Sequence, residues 1–259
     1  MPLNAPIRDW NARTVWVVGA SSGIGAAFAR ALIVRGARVA LSARNAQALA
    51  GIAALGSPDQ TLELPLDVTR PEEIAAAFER IMSSWSGLDL AVLLAGNHQP
   101  IRAWELNATQ ARNLVETNLI GVLNASAVLA PAFCHGAKGA IAIVSSVAGY
   151  GGLPSSLVYG ATKAALINFS ETLYLDLAPR GIGVYLITPG FVKTPLTDRN
   201  EFKMPALISA DEAAEEMIKG FEDGKFEIHF PRRFTLWFKL LRLLPYRIYF
   251  PLIHRFTGL

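Results

Sequence analysis

The chain is 259 residues long and has one cysteine, Cys134. No internal disulfide can form, so the expected setting is a reducing cytoplasm, with Cys134 in a helix core. Charge is also sparse. Asp, Glu, Lys and Arg make up 17% of the chain against 52% hydrophobic residues. So apolar a composition excludes a disordered chain. No uninterrupted apolar run approaches the ~20 residues that span a bilayer. The first eleven residues are polar and contain proline, so no secretory leader is expected. No repeat, linker or composition break marks a second folded domain, and the length suits one α/β domain with a substantial core. No metal site is expected. Nucleic-acid binding is not expected either, because no recognition motif accompanies the basic residues.

What is present alternates. Apolar strand candidates lie near 14–18, 38–42, 61–66, 89–94, 139–145, 182–187 and 226–230. Helical stretches separate them at 23–35, 45–55, 71–86, about 107–135, 156–178 and 210–222. This alternation predicts a doubly wound parallel sheet with helices on both faces and a ligand at the switch point. Ser209 and Glu212 have the spacing of a capping box at the start of the last of these helices.

Two segments carry chemistry. Residues 14–25 read TVWVVGASSGIG, a β-branched run entering a turn with Gly19, Gly23 and Gly25, followed by a helix. Such a turn lets backbone approach a pyrophosphate at a helix N-terminus. The strand before it and the helix after it separate this turn from the many glycine turns that bind nothing. The second segment is SSVAGYGGLPSSLVYGATKAAL, residues 145–166. Tyr159 and Lys163, four apart, share a helix face. An ammonium beside a phenol favours the phenolate and lowers its pKa, which makes Tyr159 a usable general acid/base. Ser146, at a strand end, could hold the oxygen of an alcohol or carbonyl.

These pieces recur with others in one order. GASSGIG at 19–25, Asp67-Val68, LLAG at 93–96, Asn118 in TNLIG, Ser146, Tyr159 with Lys163, and Pro189-Gly190 with Thr194 follow one another across about 20–230. In this the chain resembles the short-chain dehydrogenase/reductase family. The resemblance implies a single Rossmann-type domain with a seven-stranded parallel sheet. It assigns residues 1–230 to the dinucleotide-binding catalytic domain and leaves 231–259 as a C-terminal extension. It implies that Tyr159 moves the proton and that Lys163 tunes Tyr159 and holds the nicotinamide ribose. It further implies that Ser146 holds the substrate oxygen and that Asn118 anchors a water leading from Lys163 to solvent. Asn118 read alone is a helix-bending buried amide.

The same resemblance fills in the cofactor site. Ser21, Ser22 and Ile24 belong with the glycine turn. Asp67 would accept from the adenine amino group beside the Val68 backbone. Ala95 and Gly96 would pass the adenosine ribose. Pro189, Gly190, Val192 and Thr194 would meet the nicotinamide, and Thr194 also fits a helix N-cap. One departure stands out: Leu93-Leu94 replaces the family's two asparagines, exchanging hydrogen bonds for packing. The end of the second strand decides the cofactor. Ala43 occupies the place where an acid would hold a ribose 2′-hydroxyl, and Arg44 follows. A guanidinium suits a 2′-phosphate, with Ser21 and Ser42 as added hydroxyls. NADP(H) is therefore expected over NAD(H), against the plainer reading of Arg44 as a solvated helix-start residue.

By position in the family, His98, Tyr150, Leu153 and Phe191 would surround the substrate together with Ser146 and Tyr159. A loop histidine such as His98 is more often a bystander. Pro195, Met204, Pro205 and Leu207 read as a lid that closes over bound cofactor. The expected reaction interconverts a ketone or aldehyde with an alcohol on a hydrophobic small molecule. Two other classes remain open, a non-catalytic dinucleotide sensor and an isomerase or dehydratase on a related fold. An intact Tyr159/Lys163 pair argues against the first, and the lack of a long substrate domain argues against the second. The long helices at 107–135 and 156–178 are apolar beyond what one sheet face needs, and the resemblance implies that they pair across a two-fold axis into a homodimer or homotetramer.

The tail from Pro231 carries Arg232, Arg233, Lys239, Arg242, Arg247 and Arg255, with no acid and seven interleaved aromatics. Thr235, Lys239 and Arg242 share one helix face. Trp237, Leu240, Leu241 and Leu244 share another. Two readings stay open: a peripheral segment on the cytoplasmic face of a membrane, or a tail covering its own pocket or a partner subunit.

Overall fold

A computed structural model describes residues 2–199 and 204–258. Part of the expected lid, 200–203, lies outside the described residues. Seven strands form one sheet: β1 (Thr14–Val18), β2 (Arg38–Ser42), β3 (Thr61–Glu63), β4 (Leu90–Leu93), β5 (Ala140–Val144), β6 (Gly183–Pro189) and β7 (Glu227–Phe230). The order is β3-β2-β1-β4-β5-β6-β7 and every pairing is parallel. The direction of winding reverses between β1 and β4. β1 and β5 are buried along their whole length because helices cover both faces. Two large hydrophobic clusters fill the two sides of the sheet.

The helices are α1 (Gly23–Val34), α2 (Ala46–Ala53), α3 (Pro71–Trp85), α4 (Ala108–Val115), α5 (Gly121–Gly136), α6 (Leu157–Leu177) and α7 (Ala210–Glu222). The stretch expected as one helix at 107–135 is broken by a π-helical turn, Glu116–Ile120, between α4 and α5. β3 ends at Glu63, short of the expected 66, and Pro65 follows on this sheet edge at a position whose N–H would face away from β2. Hydrogen bonds to β2 still continue on either side of it, from Leu64 N to Leu41 O and from Leu66 N to Ala43 O. Ala108–Gly136 is long and apolar enough to cross a membrane by length and composition. Its Val122, Ala125, Leu129 and Phe133 nevertheless pack into the sheet core.

The tail forms α8 (Arg232–Arg242) and α9 (Tyr246–Thr257). The inward face of α8 is mixed: Thr235 and Lys239 turn inward together with Phe234 and Phe238, while Arg242 stays exposed. Thr235 is buried, and its Oγ1 is 2.6 Å from His229 Nδ1. Lys239 reaches Glu227, which also accepts from the Tyr150 and Thr188 hydroxyls. Burial works to raise the Glu227 pKa, but the bonds from Lys239, Tyr150 and Thr188 outweigh it and hold the carboxyl below its usual value.

Candidate active site

Tyr159 and Lys163 occupy the first two turns of α6. Lys163 is buried, and its Nζ lies 5.7 Å from the Tyr159 ring centre and donates to Val144 O at 2.8 Å. Ser146 caps a short 3-10 turn, Val147–Gly149, just past β5. Its hydroxyl hydrogen-bonds the Tyr159 phenol and accepts from Ala148 N at 3.2 Å. The turn lies hard against α6. A Cβ on Gly149 would come within 2.7 Å of the Lys163 carbonyl carbon, so only glycine allows the approach. Ser145 supports this junction, donating from Oγ to Lys163 O at 2.7 Å. Ser146, not Ser145, therefore faces the phenol.

The electrostatics differ from the expectation that Lys163 lowers the Tyr159 pKa. Burial raises the phenol, and the Ser146 hydrogen bond pulls it only part of the way back. Burial also pushes Lys163 down to about 8. The ammonium spends a hydrogen bond on Val144 O instead of the phenol. In this state the pair favours a neutral tyrosine, ready to act as an acid.

Asn118 lies in the π turn and is fully buried. Its amide is committed to the neighbouring loop: Oδ1 accepts from Asn97 N at 2.7 Å, and Nδ2 donates to Asn97 O at 2.8 Å. A third contact reaches Thr162 Oγ1 at 3.4 Å. Asn118 thus positions the loop after β4 beside Lys163, and a Cβ on Gly96 would stand 3.7 Å from Lys163 Nζ. Asn97 and Thr162 are functional neighbours that no spacing in the sequence announced.

Ser146, Tyr159, Lys163 and Asn97 border a cavity of about 1090 Å³ that runs across the strand ends to the glycine turn. Gly19 has φ +102°, and a Cβ there would sit 2.7 Å from Ala95 N. A Cβ on Gly25 would fall 2.2 Å from Gly19 O, and one on Gly23 would meet the Thr194 methyl at 3.0 Å. Three glycines therefore let α1, the loop after β4 and the loop after β6 converge. Ser21, Ser22, Ile24, Arg44, Asp67, Val68, Ala95, Gly96, Pro189, Gly190, Val192 and Thr194 all line the cavity. Ser22 is the N-cap of α1 and makes no capping bond through its side chain. The Thr69 backbone and hydroxyl donate to Asp67 Oδ1, and the Thr69 amide is the chief cause of its lowered pKa, with Arg44 among the lesser causes. Arg44 is exposed just before α2, whose N-cap is Asn45.

Other expected residues lie elsewhere. Ser42 is fully buried and its hydroxyl accepts from the Trp16 indole at 2.9 Å, so it cannot serve a phosphate. Tyr150 is only 7% exposed and does not border the cavity. It belongs to a third core cluster, with its phenol on Thr188 and Glu227. The Phe191 ring packs 5.5 Å from Phe234 of α8, and neither Phe191 nor Leu153 lines the cavity. His98 is half-buried and not an exposed loop residue, with its ring edge-on to Tyr159 at 4.6 Å. Leu93 is core and Leu94 lines the cavity, so packing does replace amide bonds there. Of the lid, Pro195 lines the cavity, and Val192 bridges Ile208 to join the ends of the segment. Thr194 makes a long cap-like contact through its hydroxyl, which accepts from Thr197 N at 3.4 Å. It opens the short turn Thr197–Arg199, and its carbonyl accepts from Thr197 N at 3.0 Å.

Comparison with known proteins agrees with this architecture. The chain is 35% identical over 237 residues to an uncharacterised oxidoreductase of Myxococcus xanthus, covering 90% of this chain and 93% of that one. It is 32% identical over 181 residues to an uncharacterised oxidoreductase of Staphylococcus aureus, covering 70% and 78%. A short-chain dehydrogenase from Sphingobium yanoikuyae, solved in complex with NADPH, superposes with a TM-score of 0.78 at 29% identity, covering 88% and 91%. A short-chain dehydrogenase/reductase from Burkholderia phymatum, solved with NAD, shares the fold with a TM-score of 0.82 at 24% identity, covering 90% and 94%. The short chain dehydrogenase family model matches residues 13–204. With Tyr159, Lys163 and Ser146 meeting at one end of the cavity and the glycine turn at the other, the chain belongs to the short-chain dehydrogenase/reductase family.

Proposed function

We propose that the protein is an oxidoreductase that interconverts a ketone or aldehyde and an alcohol with NADP(H). The observation that carries this reading is the single cavity shared by the Tyr159–Ser146–Lys163 cluster and the glycine turn. The residues fit a dinucleotide. Close-approach glycines and the N-terminus of α1 suit a pyrophosphate, and Asp67 suits a donor on the base. The nicotinamide ring, when bound, supplies or takes the hydride. The chain's own groups do the rest. Ser146 holds the substrate oxygen and stabilises negative charge developing on it. Tyr159 gives a proton to that oxygen in reduction and takes it back in oxidation. Lys163 orients the ribose and, once charged near the phenol, favours its ionised form. Because the Asn118 side chain is committed to Asn97, a water path from Lys163 would rest on main-chain carbonyls of the π turn. Leu94, Leu114 and Leu196 are among the apolar residues of a lining that is otherwise mixed, and they would suit a hydrophobic part of the substrate.

Arg44 at the cavity rim, with no acid at Ala43, supports the 2′-phosphate form of the cofactor. The outward face of α6, with Ala161, Ala164, Asn168, Thr172 and Leu175, is small and apolar enough for close pairing with a second copy. A dimer or tetramer built on it should appear by light scattering at micromolar concentration. A panel of ketones and alcohols assayed with NADPH and NADH tests the chemistry. The double change Ala43→Asp, Arg44→Ala should invert a preference for NADPH. A parent that already prefers NADH by kcat/KM would overturn the role of Arg44.

A further inference from the structure

We propose that α8 and α9 form a docking surface for an anionic lipid bilayer. Each of the two helices presents a set of apolar residues to solvent. On α8, Leu236, Trp237, Leu240 and Leu243 are exposed, Trp237 by 67% and Leu243 by 78%. On α9, Tyr246 and Phe250 stack at 5.2 Å on the outer side and Phe256 is 74% exposed, while Tyr249 and Ile253 turn inward.

The orientation is fixed by what lies beneath. Lys239 and Thr235 meet Glu227 and His229 of β7, Phe234 and Phe238 pack on the third core cluster, and Tyr249 Oη donates to Gly152 O at 2.8 Å. Glycines permit the close fit. A Cβ on Gly190 would meet Phe234 at 2.8 Å, and one on Gly151 would meet Tyr249 Oη at 2.7 Å. Turning either helix over would bury arginines and strand these partners.

Charge selects the occupant. Residues 231–259 hold six of the 24 Lys and Arg and none of the 21 Asp and Glu. The remaining 18 cations against 21 acids leave the body at net −3, so the tail is a basic face on an acidic body. Of these six tail cations only Lys239 forms an ion pair among the described residues; Arg232, Arg233, Arg242, Arg247 and Arg255 form none. A second copy docked face to face through a two-fold axis would set arginines against arginines. A bilayer with anionic headgroups meets both needs, since its interface takes Trp, Tyr, Phe and Leu side chains and its surface draws cations.

The test is co-sedimentation of the full-length protein with vesicles of phosphatidylcholine alone and of phosphatidylcholine with phosphatidylglycerol. The protein should bind the anionic vesicles, and added salt should weaken the binding without abolishing it. The change Trp237→Glu with Leu240→Glu should remove binding while retaining the circular dichroism and cofactor affinity of the parent. Arg233→Glu with Arg247→Glu, which leaves the apolar face whole, should weaken binding by about fivefold or more per cation. Failure of the parent to sediment with anionic vesicles overturns the proposal. So does vesicle binding untouched by both double variants. A parent assembly that dissociates on Trp237→Glu with Leu240→Glu, without lipid binding, would give the face to a second copy instead. Neither arm reads turnover, so the result stands apart from the catalytic reading.

Discussion

Helices α7 and α8 are both amphipathic and point opposite ways. α7 buries Ala213, Ala214, Met217, Ile218 and Phe221 and turns its charges to solvent. Its start is stabilised by a capping box, with Ser209 Oγ accepting from Glu212 N at 3.1 Å and Asp211 and Glu212 in the first turn. α8 begins after Pro231 with no side-chain cap, carries Arg232 and Arg233 in its first turn, and shows Leu236, Trp237 and Leu240 to solvent. The periodicity of a helix thus says that two faces exist, not which of them meets the body. β7 and the third core cluster decide that for α8: β7 offers Glu227 and His229 to Lys239 and Thr235, and the cluster takes Phe234 and Phe238.

The sharpest division between body and tail is in chemistry. Tyr159→Phe should lower turnover by about 10²–10⁴-fold and leave cofactor binding nearly unchanged, since only the proton donor is lost. Trp237→Glu with Leu240→Glu should leave turnover of a water-soluble substrate within about threefold of the parent, far below any general acid/base contribution. Steady-state kinetics and cofactor titration on both variants check this. A Tyr159→Phe rate within threefold of the parent would remove the proton-transfer role.

Stability should divide the same way. Phe221 of α7 is fully buried among Trp10, Phe28 and Tyr185. Phe221→Ala should cost about 3–5 kcal/mol of transfer and cavity energy. Trp237→Ala on α8 removes a larger ring from solvent-facing space and should change stability by no more than about 0.5 kcal/mol. Urea unfolding of the two variants measures the contrast. An equal loss for Trp237→Ala would mean that this ring is covered in solution, which breaks the comparison at its base.

What was legible in the sequence follows from which interactions are local. The central strands were readable because parallel strands buried on both faces are continuous apolar runs, while the edge strands β3 and β7 carry a weaker signal, with Glu63, Glu227 and His229 among their residues. The glycine turn was readable because φ and close approach restrict Gly19 and Gly25 to one residue type. Tyr150 was misplaced because its partners, Thr188 and Glu227, are 38 and 77 residues away and leave no spacing signal. Ser42 was misplaced for the same reason, since its partner is an indole on the neighbouring strand. The raised Tyr159 pKa was invisible because four-residue spacing places an ammonium near a phenol but says nothing of how dry the site is or where else the ammonium can donate.

That dryness makes a smaller, testable effect. Lys163 has a folded pKa of about 8 against an ordinary value of 10.5. Between these values the unfolded chain keeps a proton that the folded chain has released, so stability of the ligand-free protein should rise with pH through that window. The penalty for a buried ammonium is fully present below pH about 8. Above the ordinary tyrosine value of 10.0 the raised Tyr150, Tyr159 and Tyr185 act in the opposite sense, because the folded chain holds protons there that the unfolded chain loses. Lys163→Met should flatten the rise below that point. Parallel slopes for parent and variant would show that the lysine is solvated when folded.

The smallest effect bears most directly on the inversion of α8. Arg233 stands in the first turn, where the helix dipole is positive, and a cation there costs about 0.3–1 kcal/mol that an acid would recover. α7 shows the favoured arrangement, with Asp211 and Glu212 in the equivalent place. Arg233→Glu should therefore leave the urea midpoint unchanged or raise it slightly, while weakening binding to phosphatidylglycerol vesicles by about fivefold. A stabilising substitution that removes a binding function marks a residue kept for contacts outside the fold. A loss of more than about 1 kcal/mol would show instead that Arg233 holds α8 to the body, since a solvated surface charge has no comparable effect on folding.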